Sequence, residues 1–284
     1  MKQRRRLPVS AKVDYLWGET YQILVERDLW LQVLGFHINH GVIEPQRGRA
    51  RHEQIFNAYM MTYGDVRLDS INQRELRTKH DVKARIEEYN DLASAHIGQP
   101  MEYIHLGMTS ADVVDNVSLI KMKESIASWI TDRSICNGDS PEAEYTWQEL
   151  QRISEAIPFR GIKGAVGTHQ DQLDLLGDPD LCTKLDEEVA MFFGFSDYVL
   201  ANVGQVYPRS IDLQVCSALF GLVCFNHDTP RAWRILANGY MAMIAAYSGS
   251  QWNEGDVSTS SIRRVALPGF FHAIDMALRK VNPE

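Results

Sequence analysis

The sequence predicts an all-α fold, and three observations predict it. Apolar residues recur at helical intervals in four separate stretches: Ile23, Trp30 and Leu34; Leu119, Met122, Ile126 and Ile130; Ile211, Val215, Leu219 and Leu222; and Phe271, Ile274 and Leu278. Each set lines one face of a helix. Strand-like alternation is confined to short pieces such as Val203 to Tyr207. The breaks between stretches carry turn chemistry: Cys136 to Pro141 reads Cys-Asn-Gly-Asp-Ser-Pro, Asn226 to Pro230 reads Asn-His-Asp-Thr-Pro, and Gly177-Asp178-Pro179-Asp180 is a shorter break.

Bulk properties narrow the class. A chain of 284 residues can bury one good-sized core or two modest ones. With 45% hydrophobic and 23% charged residues it has the composition of a soluble globular protein, not of a disordered or membrane protein. No apolar run approaches the roughly 18 residues that span a bilayer. The basic start, with Arg4, Arg5 and Arg6, is not followed by an apolar segment, so it reads as a solvated tail and not as a secretory signal. A formal net charge of −8 would repel a phosphate backbone, which argues against a nucleic-acid partner. Cys136, Cys182, Cys216 and Cys224 show neither C-x-x-C pairing nor metal-ligand spacing; Cys216 and Cys224 read as small core residues, and a reducing, cytoplasmic compartment is expected.

The helices justify themselves in order along the chain. Ile23 to Leu34 forms the first amphipathic stretch. Thr109-x-x-Asp112 has the form of a capping box, so a helix is expected to start there and run through the Leu119 to Ile130 period. Later helices are apolar or small around much of their circumference, as in Ala218 to Phe225 and Ala237 to Ala246. Such helices are buried on most sides, either in a bundle core or at a subunit interface, and both readings stay open.

Five segments carry residues suited to chemistry. Thr78-Lys79-His80-Asp81 lies in a basic run with Arg74, Arg77 and Arg85, which suits anion binding or proton transfer; a solvated charged helix face explains the same letters. His105-Leu-Gly107-Met-Thr109-Ser110 offers two hydroxyls and backbone N–H groups at a helix start, a setting for a carboxylate, although a plain cap has the same pattern. Arg160-Gly161-Ile-Lys163-Gly164-Ala-Val-Gly167-Thr168-His169-Gln170 has glycines at every third position but not the spacing of a P-loop. Gly204-Gln205-Val-Tyr207-Pro208-Arg209-Ser210 places one arginine ahead of a helix. Gln251-Trp252-Asn253-Glu254-Gly255-Asp256 is followed by Ser260 and Arg264, four apart on one helix face, a pair able to grip a phosphate.

Taken together and in order, T-K-H-D-V-K-A-R-I-E-E, H-L-G-M-T-S, R-G-I-K-G-A-V-G-T, G-Q-V-Y-P-R-S and Q-W-N-E-G-D-V-S with R-R-V-A-L-P resemble the adenylosuccinate lyases of the fumarase/aspartase superfamily. The resemblance implies a long-helix bundle, here abbreviated, with an N-terminal helical domain over residues 1–111 and a shortened central bundle over 112–284. It implies a homotetramer, active sites built from several subunits, and no metal or organic cofactor. The family reaction eliminates fumarate from adenylosuccinate to give AMP, and from the corresponding succinyl-carboxamide ribotide in purine synthesis. A base removes a proton from the succinyl carbon, and an acid protonates the departing nitrogen.

Carried over position by position, Lys79, His80 and Asp81 line the nucleotide and succinyl site, and Thr109 and Ser110 hold a succinyl carboxylate. Gln170 contacts substrate, with His169 competing for that match. Arg209 binds an anionic group, and Ser260 with Arg264 binds the phosphate. The resemblance also breaks down in places. The interval from Ile130 to Trp147 is too short for the family's catalytic-histidine segment and holds no histidine. The stretch from Leu222 to Trp233 lacks the mobile loop that carries the catalytic serine. The family's Arg-Tyr pair is not recognisable near Pro8, and its carboxy-terminal helical domain is expected to be absent. The catalytic residues are therefore unknown, with His80 the nearest candidate and His227 or Ser250 as substitutes. Two readings follow: a lyase, or a catalytically impaired lyase-like protein that binds nucleotide or serves as an assembly partner.

Overall fold

A computed structural model describes residues 11–39, 43, 51–106, 108–136, 140–157, 210–226, 228–248 and 258–283. Among the described residues there are eleven helices and no strand, so the all-α class holds. In chain order they are α1 (Ala11–Leu16), α2 (Glu19–Asn39), α3 (His52–Thr62), α4 (Leu68–Thr78), α5 (Asp81–Ile97), α6 (Ser110–Thr131), α7 (Arg133–Cys136), α8 (Pro141–Ala156), α9 (Ser210–Phe225), α10 (Arg231–Ser248) and α11 (Ser258–Leu278). No helix among the described residues is long and apolar enough to cross a membrane. The chain divides into two compact units. One holds α2 to α5 and the start of α6 through Val117; the other holds α1, α6 from Ser118 onward, and α7 to α11.

The unit of α2 to α5 is built around a buried arginine. Ile23, Trp30 and Leu34 bury one face of α2, as their spacing predicts. The same helix also carries Glu26 and Arg27 into the interior. A buried charge is tolerated only when paired and hydrogen-bonded, and Arg27 is both. Its guanidinium lies 2.5 Å from Glu88, donates to the carbonyls of Thr62 and Tyr63 at 3.0 and 2.7 Å, and stacks 4.3 Å over the Tyr89 ring. Those carbonyls belong to the end of α3, where the helix runs out of internal donors. One side chain from α2 thus closes α3 and ties it to α5.

Local signals set the helix ends here. Lys79 ends α4 in the left-handed conformation, with φ 57° and its N–H on the Glu75 carbonyl at 2.8 Å. His80 is extended and caps α5. Gly98, at φ 76°, ends α5, because a left-handed cap costs glycine nothing. The basic run resolves into ion pairs: Arg74 with Asp91 at 2.6 Å, Arg77 with Glu87, and Arg85 with Glu26 at 2.7 Å and Asp81 at 3.2 Å.

In the other unit the core gathers from distant stretches. Met122, Ile126 and Trp129 of α6 pack with Phe270, Phe271 and Ile274 of α11 and with Cys216 and Leu219 of α9. Phe271 lies between two tryptophans, with ring centroids 4.7 Å from Trp17 and 5.8 Å from Trp129. Trp129 donates its indole N–H to the buried Asp275 at 2.9 Å, and Asp275 pairs with Arg279 one turn on, at 3.0 Å. Ser140 caps α8 ahead of Pro141, which suits the first helical turn because it needs no donor there. At Asn226, a side-chain turn with Asp228 N–H on Asn226 Oδ1 separates α9 from α10. The break at Asn226 agrees with the predicted loop, while residues 137–139 of the other predicted loop lie outside the described residues.

One detail differs from the sequence reading: Cys216 is in the core, whereas Cys224 is only half-buried. Of the helices with a largely apolar circumference, Gly221 and Phe225 of α9 and Ile235, Asn238, Gly239, Ala242, Ala245 and Ala246 of α10 are exposed in the single chain, which leaves the subunit-interface alternative open. Pairing α10 with α11 and α9 covers part of its apolar circumference, and no other described helix packs extensively on it.

Candidate anion-binding site

The described residues bring two of the five segments into one unit. Lys79, His80 and Asp81 form the α4–α5 junction, and Thr109 and Ser110 form the start of α6. His105, at the head of the second segment, is close enough to His80 for the two to act on each other electrostatically.

Lys79 and His80 are exposed because the left-handed turn lifts them off both helices. His80 Nδ1 accepts the Lys83 N–H at 3.3 Å and lies 3.8 Å from Asp81 Oδ1. A ring nitrogen that caps a helix has its lone pair in use, so the neutral ring carries its proton on Nε2. In that state His80 offers an outward N–H donor and is poorly set up as a base. Asp81 turns toward Arg85, whose guanidinium is buried between Asp81 and Glu26. Asp81 is thereby held within the fold.

Thr109 is buried and Ser110 half-buried. Thr109 donates its N–H to Asp112 Oδ2 at 2.9 Å, the reciprocal half of a capping box, and α6 begins at Ser110. One of the N–H groups expected to meet a ligand is therefore taken, and the Asp112 carboxylate already answers the helix dipole. An added anion at this end relies on the two hydroxyls and on nearby cations.

Sequence reasoning assigned no role to His105. It is buried, accepts the Trp30 indole N–H on Nδ1 at 3.0 Å, and adopts φ 65°, unusual for a residue with a side chain. Burial, with His80 adding to it, pushes its pKa down to about 3. The histidine at the head of the motif was visible; its partner, Trp30, lies 75 residues upstream and carried no local signal.

In the other unit, Ser260 is half-buried and Arg264 exposed on α11, one turn apart. The adjacent Arg263 turns inward onto Asp212. Gln170, His169, Arg209, His227 and Ser250, with the R-G-I-K-G and Q-W-N-E-G-D blocks, residues 204–209 of the G-Q-V-Y-P-R-S block and the Val203 to Tyr207 piece, lie outside the described residues.

Similarity to known proteins bears on this arrangement. No family model matches the chain. It is 29% identical over 269 residues to the adenylosuccinate lyase of Schizosaccharomyces pombe, covering 81% of this chain and 53% of that enzyme. It is 27% identical over 287 residues to the adenylosuccinate lyase of Saccharomyces cerevisiae, covering 75% of this chain and 58% of that enzyme. This chain is a relative of the adenylosuccinate lyases. It spans 53% to 58% of the length of these two relatives. The second alignment runs over 287 residues while covering 75% of a chain of 284, so it crosses internal segments that this chain lacks. The fold agrees: the β-carboxy-cis,cis-muconate cycloisomerase of Acinetobacter calcoaceticus superposes with a TM-score of 0.67 at 15% identity, covering 96% of this chain and 74% of that one. The chain is thus lyase-like in sequence and has the long-helix fold of the fumarase/aspartase superfamily.

Proposed function

We propose that this chain is an adenylosuccinate lyase-type protein of purine nucleotide synthesis, eliminating fumarate from adenylosuccinate and from the succinyl-carboxamide ribotide. The observation that supports the reading is the presence, within one unit, of both the Lys79-His80-Asp81 junction and the Thr109-Ser110 helix start, in a chain whose relatives are adenylosuccinate lyases. In the reaction a proton leaves the succinyl carbon, its electron pair forms the fumarate double bond, and the C–N bond breaks onto a nitrogen that takes up a proton. Hydroxyls from Thr109 and Ser110 hold the succinyl carboxylate, and the Lys79 ammonium balances its charge. The His80 Nε2–H suits a hydrogen bond to an electron-rich substrate atom. Ser260 and Arg264 hold the phosphate, and Gln170 and Arg209 complete the substrate contacts. The proposal needs no cofactor.

A self-associated, tetrameric form is part of the proposal. Residues 235–248 of α10 include no charged side chain. Ile235 and Phe225 are each 60% exposed and Val265 57%. A face of that kind is suited to burial against another copy of the chain.

A second reading has its own support. No histidine lies between Ile130 and Trp147, and each missing proton-transfer group typically costs about 10²- to 10⁴-fold in rate. The chain would then bind AMP-like nucleotides, or join a longer partner, without turnover. Purified protein incubated with adenylosuccinate distinguishes the two. Fumarate formation supports the lyase. Absence of fumarate, with AMP still raising the melting temperature, supports the binding protein.

A further inference from the structure

Trp30 lies within α2 with no exposed surface, and its indole N–H points at Nδ1 of His105. The two rings meet edge-on, with centroids 5.9 Å apart and planes at 88°. His105 is 4% exposed and holds the left-handed conformation, which a residue with a side chain adopts at a cost and keeps only where its surroundings fix it. The surroundings do so at consecutive points. Trp30 grips the ring, the Met108 N–H returns to the His105 carbonyl at 3.4 Å, and the Thr109 N–H meets Asp112. A ring nitrogen that accepts from an indole carries no proton, so the ring is neutral with its hydrogen on Nε2.

We propose that Trp30 is a positioning residue for the candidate site: its indole N–H fixes His105 in one tautomer and, through that ring, the left-handed turn that delivers Thr109 and Ser110 to the start of α6. The functional importance of that turn rests on the reading of Thr109 and Ser110 as carboxylate ligands. His105 acts here as an anchor and not as a carrier of protons.

The test uses the full chain with ¹⁵N-labelled histidine and three variants: Trp30→Phe, which removes the donor; His105→Asn, whose amide oxygen can accept from Trp30; and His105→Ala, which cannot. Imidazole nitrogen shifts and amide exchange are read on each. The unaltered chain is expected to show His105 protonated on Nε2 alone. Trp30→Phe is expected to give mixed tautomers and to speed exchange at Met108 and Thr109 by about tenfold, the equivalent of one hydrogen bond, while Tyr89 in α5 is unchanged. His105→Asn keeps slow exchange and His105→Ala loses it. Where fumarate release is measurable, Trp30→Phe and His105→Ala raise KM about tenfold with kcat within about twofold, and His105→Asn stays near the unaltered chain.

Unchanged tautomer and exchange in Trp30→Phe would overturn the proposal, as would a His105→Asn chain that behaves like His105→Ala. If Trp30→Phe also loses protection at Tyr89, its fold has failed, and the contrast between the two His105 variants decides. If the unaltered chain releases no fumarate, the catalytic reading fails separately, and the nitrogen shifts and exchange rates still judge Trp30.

Discussion

Arg263 of α11 and Asp212 of α9 form a buried two-point ion pair, Nε to Oδ2 at 2.7 Å and Nη2 to Oδ1 at 3.1 Å. Tyr247 of α10 donates its hydroxyl to the same carboxylate at 3.0 Å, so three helices meet at one acid. The next residue, Arg264, faces solvent. Two adjacent arginines in R-R-V-A-L-P therefore point different ways, one into the bundle and one outward.

Their substitutions should separate accordingly. Arg263→Met leaves Asp212 buried without its cation and should cost about 3–5 kcal/mol of stability in urea unfolding. Arg264→Ala should change stability by no more than about 0.5 kcal/mol. If Arg264 binds phosphate, the same change should weaken AMP binding about tenfold or more, measured by titration calorimetry.

Gly269 carries a packing prediction. A Cβ at this position would lie 2.3 Å from the Tyr240 ring, so glycine is what lets α11 approach α10 there. Gly269→Ala should destabilise the protein by about 1–3 kcal/mol, and pairing it with Tyr240→Leu should recover part of the loss in a double-mutant cycle.

At His80, capping and ligand contact can be told apart. His80→Ala removes the acceptor for the Lys83 N–H and should cost about 1 kcal/mol in thermal unfolding. His80→Asn keeps an acceptor at the cap and should retain most of that stability. Any fumarate-release activity lost in His80→Asn then reports contact with substrate and not loss of the helix start.

Acid sensitivity follows from His105. Its folded pKa is depressed to about 3 from the ordinary 6.5. A depressed folded value means that below 6.5 the unfolded chain binds a proton that the folded chain refuses. The contribution is therefore fully present above pH 6.5 and is lost as pH falls toward 3, at up to about 1.4 kcal/mol per unit. His272, depressed chiefly by burial, adds in the same direction. Arginine partners hold the Asp65 and Glu149 carboxylates below their ordinary values of 3.8 and 4.5, so their contribution is lost only at more acid pH. Unfolding free energy measured between pH 7 and pH 5 should fall, and His105→Asn should flatten that slope.

Periodicity carried the helices into view. Ile23, Trp30, Leu34, Leu119, Met122, Ile126, Phe271 and Ile274 are all buried, because a face that repeats every three or four residues has only one way to leave water. The cap at Thr109 was equally legible, because its signal is contained within four residues, whereas Ser140-Pro141 was read only as part of a turn. What stayed hidden is long-range and polar. Nothing near Arg27 in the chain announces the Glu88, Thr62 and Tyr63 that surround it, and Arg263 could not be told from Arg264 without Asp212. The site was legible as residue types that suit anions. The sequence could not show that His80 has its Nδ1 lone pair in a cap, or that Asp112 takes a backbone donor from the α6 start.

The central claim is that these helix-end hydroxyls and cations bind a succinyl nucleotide for elimination. Its most direct measurement is fumarate release from adenylosuccinate by the unaltered chain beside Ser110→Ala, with the assembly state determined on the same samples. The account predicts release above the uncatalysed rate, by an assembly of several copies, and a loss of about tenfold or more in kcat/KM in Ser110→Ala at unchanged assembly. No fumarate at high protein concentration, or equal release by both chains, would contradict it.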